Sequence, residues 1–435
     1  MNRRILLPVV LLALGAAGDA RAQNTTPVAL TLKDAEALAL KNHPQVLAAQ
    51  ATVREFSELV VEARSAYFPT LEGEVTGSGG NPQGRIGAGF LPASLLFDRL
   101  GTGILLSQLI SDSGRTPNLV ASSRLQAQAS QRTYEATRYD VLLAVNQAYF
   151  AALRAQALVK VARQTVAARQ ILSDQVTELA KNKLRSDVDV AFADVNLSEA
   201  RLLLLRSQDQ VRAAFAELTR ALGADQMASY KLTDEPLPPR PPLDPESLIA
   251  QAFANRPDLL SLQLQRDAAV KFARAERDLS LPTVSLVGVA GAIPDIKQIL
   301  STNVPNNYEG AALNVEVPIF NGHLFAARRE AARFRAQAED QRVRDLQERI
   351  ARDVRVAWSS SKTAFQNIDV TAELLREASL ALELAQGRYN LGLSSIVELY
   401  QAELNITQAE IENLNAKYEY QSIYAMLQYT MGLLR

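Results

Sequence analysis

The sequence predicts a mainly α-helical protein with a smaller β part. Its plan is two tandem copies of one unit, each built from a long α-helical hairpin and a pair of strands, with four strands per chain. Three observations carry this reading. Landmark residues recur at constant spacing, very long runs lack glycine and internal proline, and two Gly- and Ser-dense segments interrupt the helical patterning. Pro44 and Pro69 find counterparts 213 residues later at Pro257 and Pro282, while Tyr149 and Gly223 find theirs 209 residues later at Trp358 and Gly432. Two constant offsets across most of each half mark a tandem duplication. The offset changes between Pro69 and Asp112, so the first copy holds extra residues there, in a stretch where loops tolerate insertion.

The chain opens on a processing signal. Arg3 and Arg4 precede the apolar run Ile5–Ala17, and Ala20-Arg21-Ala22 fits small-x-small cleavage. Residues 1–22 are read as a signal peptide. Residues 23–223 are the first repeat, with a strand pair about 71–110 and a helical hairpin about 117–222. Residues 224–246 are a proline-rich connector. The second repeat is 247–435, with strands about 283–317 and a hairpin about 324–431.

In each copy a short helix, about Leu32 to Lys41 or Pro245 to Ala254, runs into an Asn-x-Pro turn, NHP or NRP. Proline excludes its predecessor from the helical region, so the chain breaks there and restarts. A second helix leads to the next proline, followed by candidate strands near Leu71–Thr76, Gly103–Ile110, Thr283–Ala290 and Glu309–Val317. Then come the long runs, Pro117–Lys181 and Leu324–Gln386. A helix of about 65 residues is a rod of ~97 Å. Short interruptions, AKNKLRSD and RYNLGLSS, precede returning helices that end at Gly223 and Gly432. Val190, Leu197, Leu204, Val211 and Leu218 recur every seventh residue, as do Val397, Leu404, Ile411, Tyr418 and Ala425, which predicts helix–helix seams.

Composition narrows the function. A formal charge of −1 gives no electrostatic reason for a nucleic-acid partner, and the absence of cysteine removes disulfides, thiolate chemistry and Cys-based metal sites. The two histidines, His43 and His323, have no metal-ligating residue at helical spacing. No phosphate-binding or nucleophile motif is present, so the sequence gives no sign of an enzyme. Beyond the signal, no apolar run approaches the ~18 residues of a membrane helix. If the chain crosses a bilayer it does so with strands, and four strands cannot close a barrel, so several copies must share one.

The duplicated order of Asn-x-Pro turn, strand pair, ISDSGR or PIFNGH, and tips such as RYNLGLSSIVELYQAEL resembles the TolC-like outer-membrane efflux protein family over about Leu30–Leu433. The resemblance implies a homotrimer in the bacterial outer membrane, with a twelve-stranded transmembrane β-barrel and a trimeric α-barrel crossing the periplasm. It implies no cofactor and no catalytic activity. Its partners would be a periplasmic adaptor protein and an inner-membrane pump, in an efflux or type I secretion system. The adaptor-docking tips would be Asn182, Lys183 and Leu184 in copy one and Leu391, Gly392 and Leu393 in copy two, with lysine replacing the usual glycine in the first. Pore-gating carboxylates would be Asp189 and Glu398. A basic latch residue two positions past the tip glycine corresponds to Arg185 in copy one and is Ser394 in copy two. A competing reading is a soluble periplasmic coiled-coil adaptor or scaffold; an adaptor, however, needs a single hairpin between β-domains, and this chain carries two in tandem.

Overall fold

The computed structural model describes residues 28–78, 85–86, 94–95, 99–224, 230–293 and 307–434; the signal segment expected at 1–22 lies outside the described residues. The elements of the first copy are β1 (Val28–Leu30), α1 (Leu32–Asn42), α2 (Pro44–Ser65), β2 (Thr70–Ser78), the short β3 (Arg85–Ile86) and β4 (Ser94–Leu95), β5 (Arg99–Ser111), α3 (Arg115–Lys181) and α4 (Asp187–Ala221). Then follow β6 (Tyr230–Leu232), α5 (Pro245–Asn255), α6 (Pro257–Asp278), β7 (Thr283–Ala292), β8 (Asn307–Glu316), α7 (Leu324–Asn390) and α8 (Ile396–Thr430). Helices related by the repeat have equal lengths: 11 residues for α1 and α5, 22 for α2 and α6, 67 for α3 and α7, and 35 for α4 and α8.

The repeated turn and the repeated glycine are two halves of one joint. His43 and Arg256, each before a proline, are extended at ψ 125° and 118°, and each ends one helix and starts the next. Gly223 and Gly432 end α4 and α8 at φ +66° and +69°. A Cβ on Gly223 would lie 2.7 Å from His43 Cα, and one on Gly432 would lie 2.9 Å from the Asn255 carbonyl carbon. Glycine is required at both places because the broken helix packs directly on the end of the returning one. His43 is buried, and its Nδ1 accepts the Gln45 N–H at 3.3 Å, the cap role expected of a structural histidine.

The helices form a single curved layer. Toward the strands the order is α2–α3–α6–α7; toward the other end it is α4–α3–α8–α7. The long rods α3 and α7 run the whole length, each flanked by two shorter helices laid end to end, as the matched lengths require. A middle core joins α1, α3 and α4 through Val145, Tyr149, Leu218 and Leu222. Its counterpart joins α5, α6, α7 and α8 through Leu248, Leu259, Val354 and Leu427. The Tyr149 hydroxyl donates to Thr233 O at 2.7 Å, holding β6 to α3 where it pairs in parallel with β1. The proline-rich connector is strapped to the second repeat by Trp358 Nε1, which donates to Pro242 O at 2.7 Å, and by Gln421 Nε2, which donates to Glu235 O at 2.8 Å.

The seam expected in the second returning helix is displaced. In α8 the buried stripe is Leu399, Ala402, Ala409, Ala416, Tyr420 and Leu427; of the expected seam Ala425 is buried, Leu404, Ile411 and Tyr418 are half-buried, and Val397 at its head is exposed. Because α8 is wedged between α3 and α7 it buries two flanks, and alanines permit the close approach. A search for large apolar residues misses such a stripe.

The four expected strands form one antiparallel sheet in the order β2–β5–β7–β8. Two smaller two-stranded sheets, β1–β6 and β3–β4, were not expected. The register sorts side chains into two faces. One carries Leu71, Val75, Leu100, Ile104, Leu106, Leu286, Leu313 and Val315, with Glu309 its charged member near the start of β8. The other carries Thr70, Glu72, Glu74, Thr76, Ser107, Ser285, Asn314 and Glu316, with Leu105, Leu109, Val287 and Val289 among its apolar members. On this second face Tyr308 lies across Gly103 and Gly291, whose missing side chains make room for its ring. The apolar face is exposed to the surroundings, as a lipid-facing surface must be. At ~3.3 Å per residue, strands of about ten residues suffice to cross a bilayer at the usual tilt. No described helix is long and apolar enough to cross a membrane.

Candidate functional site: the hairpin tips

Both hairpins end at the same height, roughly 100 Å of helix from the sheet. The two turns share one backbone solution. Leu184 N–H donates to Leu179 O at 2.9 Å and Lys183 N–H to Ala180 O at 2.8 Å; Leu393 N–H donates to Arg388 O at 2.9 Å and Gly392 N–H to Tyr389 O at 3.0 Å. This is the paired bonding that closes a helix with a left-handed residue. Gly392 takes φ +72°, and Lys183 takes φ +61° despite its side chain. The lysine therefore keeps the turn at a cost of about 1–2 kcal/mol. Leu184, Leu391 and Leu393 project from the tips at 68, 75 and 67% exposure, and Asn182, Lys183 and Gly392 are exposed beside them.

Asp189 and Glu398 occupy the third position of α4 and α8 respectively, yet they are used differently. Asp189 is engaged locally: its Oδ2 accepts from Ser186 N and Oγ, both at 3.0 Å, while Asp189 N–H donates to Ser186 Oγ at 3.2 Å. This reciprocal box caps α4. Ser395 makes no such bond, and Glu398 instead pairs with Arg388 across its own turn at 3.0 Å. The two carboxylates thus do not meet within one chain.

What links the tips is Arg185, with a tyrosine that sequence reasoning did not single out. The Arg185 Nη2 donates to Tyr389 O at 3.0 Å, and its guanidinium sits 4.2 Å from the centre of the Tyr389 ring. Tyr389 is buried among Val176, Ala193, Ala385, Ile396, Leu399 and Ala402, a small core drawn from both hairpins. Burial raises its hydroxyl pKa, opposed by Arg185 and reinforced by Asp189. Higher up, a polar clamp crosses between the hairpins. Buried Arg169 donates to Asn196 O at 3.0 Å, and Asn196 Nδ2 donates to Glu403 Oε2 at 2.6 Å. Desolvation raises the Glu403 pKa and lowers that of Arg169. Neither cluster has a local sequence signature, since its members lie on different helices far apart in the chain.

A curved layer of helical hairpins, open at both edges and continuous with an amphipathic sheet, defines a membrane pore protein whose wall needs further copies to close. The family model for outer membrane efflux proteins matches residues 37–224 and 248–433, so both copies are covered and the chain belongs to that family. It is an efflux channel protein of the bacterial outer membrane that extends into the periplasm. The chain is 26% identical over 399 residues to the outer membrane efflux protein BepC of Brucella suis, spanning 89% of this chain and 82% of that one. It is 27% identical over 380 residues to the protein CyaE of Bordetella pertussis, spanning 86% and 78%. Its fold matches the Campylobacter jejuni CmeC outer membrane channel with a TM-score of 0.78 at 18% identity, over 99% of this chain and 94% of that one.

Proposed function

We propose that three copies close head-to-tail into one duct, with the tips serving both as the gate and as the docking end for a periplasmic adaptor that couples the duct to an inner-membrane pump. The observation that supports the ring is that each chain has the same two open edges at every level. In the sheet these are β2 and β8; in the helical layer they are α2 with α4 on one side and α7 on the other. Pairing β8 with a neighbour's β2 satisfies ladder groups that lipid cannot satisfy, and it brings α7 onto the neighbour's α2 and α4. Such a heterologous contact must close into a ring or grow without limit. Three chains give twelve strands.

The exposed leucines of both tips support docking of an apolar helical hairpin. Asp189 and Glu398 stand next to these tips, where copies of each would ring a constriction with negative charge. In this reading the closed state is held by Arg185 on Tyr389, which joins the two tips of each chain, and Arg388 offsets the charge of Glu398. The test of docking is crosslinking of cysteines placed at Leu184 and Leu393 to the cognate adaptor in cells. Capture of the adaptor at both tips is expected. Labelling that is no greater than from a cysteine placed midway along α7 would overturn it.

A further inference from the structure

The groove between α6 and α7, on the outer side of the wall just below the sheet, is rich in arginine. Five guanidinium groups line it, Arg266, Arg274, Arg277, Arg329 and Arg333, against two carboxylates, Glu330 and Asp340. Arg333 pairs with Glu330 at 2.9 Å, Arg277 with Asp278 at 2.8 Å, and Arg266 with Asp267 at 2.8 Å and more loosely with Asp340 at 4.0 Å. Arg329 pairs loosely with Glu330 at 3.7 Å, while Arg274 has no carboxylate partner among the described residues. The groove is on the convex side. Phe56, Tyr134, Phe272 and Arg335 line a cavity that draws on α2, α3, α6 and α7 together, which is possible only where the layer is concave. The arginines occupy the opposite faces of α6 and α7.

Packing of the repeated helices does not call for three of these residues. The internal duplication supplies the control: Arg266, Arg274 and Arg329 correspond to Val53, Val61 and Val120 in the first copy, which builds the same helices with valine. These three arginines are particular to the second copy, whereas Arg277 and Arg333 have arginine counterparts in the first, Arg64 and Arg124.

Their position selects the anion. Arg277 is the penultimate residue of α6, shortly before β7, and Arg329 lies in the second turn of α7. Both also line a pocket at the junction of helix and strand with Ile319 and Phe320, which are 95 and 81% exposed. A cationic groove directly beneath exposed apolar side chains, at the level where an amphipathic sheet begins, complements a molecule with an anionic head and an apolar body. We propose that this groove binds the headgroup of an anionic phospholipid from the periplasmic leaflet of the outer membrane. The phosphate would lie on Arg274, Arg277 and Arg329 and the acyl chains against Ile319 and Phe320.

The inference rests on the sheet lying in the outer membrane, and the experiment separates the two. Full-length protein extracted in detergent is mixed with phosphatidylglycerol, with phosphatidylcholine, or with inorganic phosphate as competitor, and bound lipid is counted by native mass spectrometry. Phosphatidylglycerol is expected to be retained over phosphatidylcholine and to resist inorganic phosphate. Retention should fall roughly fivefold per arginine removed in the Arg274→Gln, Arg277→Gln, Arg329→Gln variant. The variant Arg64→Gln, Arg124→Gln, altered in the first copy, should retain lipid as the parent does, and Arg274→Gln alone should show a partial loss if the triple variant fails to fold. Equal retention of the two lipids, unchanged retention in both the triple and the single variant, or displacement by phosphate at matched concentration would overturn the proposal. A protein that needs no detergent at all would instead overturn the membrane reading beneath it.

Discussion

Replacing Arg185 with alanine should open the duct. Its guanidinium makes one charge-assisted hydrogen bond to Tyr389 O at 3.0 Å and stacks 4.2 Å from the ring centre. A hydrogen bond to a charged group contributes about 1.5–3 kcal/mol and a partly exposed cation–π contact about 0.5–1. Arg185 is only half-buried, so the lower ends apply and the loss is about 2 kcal/mol per chain. At 1.4 kcal/mol per factor of ten, that moves the closed-to-open ratio of one tip pair roughly 30-fold. The assay is single-channel recording in planar bilayers. Arg185→Ala should raise open probability and conductance, and Arg185→Lys, which keeps charge but loses the planar stack, should fall between. Unchanged openings from Arg185→Ala protein that still assembles would refute the latch, because the contact would then persist in, or be irrelevant to, the open state.

Glu398→Ala should weaken the preference for cations over anions, and Arg388→Gln should strengthen it, since the two side chains offset each other at 3.0 Å; reversal potentials in a salt gradient decide, and identical selectivity in both variants would remove Glu398 from the gate. Gly432→Ala should destabilise the chain by about 3 kcal/mol, combining left-handed strain with overpacking against Asn255 and Arg256, and a melting temperature equal to the parent's would contradict the joint described above. Burial and nearby Arg220 hold the His43 pKa below its ordinary 6.5. Between that depressed value and 6.5 the unfolded chain binds the extra proton, so stability is full above pH 6.5 and declines as pH falls. Thermal melts from pH 7.5 to 5.5 should show a steeper loss for the parent than for His43→Asn, which keeps a capping side chain; parallel curves would show that His43 does not titrate against the fold.

The helical plan was legible because it rests on features that survive without tertiary context. Prolines fix breaks, glycines fix ends, and the long runs between them have no alternative to helix. The 213-residue spacing shared by Pro44/Pro257 and Pro69/Pro282, and the 209-residue spacing shared by Tyr149/Trp358 and Gly223/Gly432, therefore reported the duplication that the equal helix lengths display. The sheet was harder to read. In β7 and β8 small residues such as Gly288, Ala290, Gly310 and Ala312 occupy both faces, so alternation emerges only once β5 sets the register. The α8 seam hid for a related reason: alanine makes a close-packed contact with little hydropathic contrast. At the tips, the turns were visible as Gly392 and its lysine counterpart, and the carboxylates as a pair in matching positions. Their different engagement was not visible, because it depends on Ser186 against Ser395 and on Arg388 reaching across a turn. Arg169, Asn196 and Glu403 meet from three helices, and no spacing in one sequence encodes such a meeting.

The claim on which the rest depends is that one chain is an incomplete wall. The native mass of the protein extracted from membranes in mild detergent tests it most directly. The open edges of β2, β8, α2, α4 and α7 predict a stable particle of three chains that requires detergent. A monodisperse single chain that remains soluble after detergent is removed would contradict the account, since both edges and the apolar face of the sheet would then be tolerated in water.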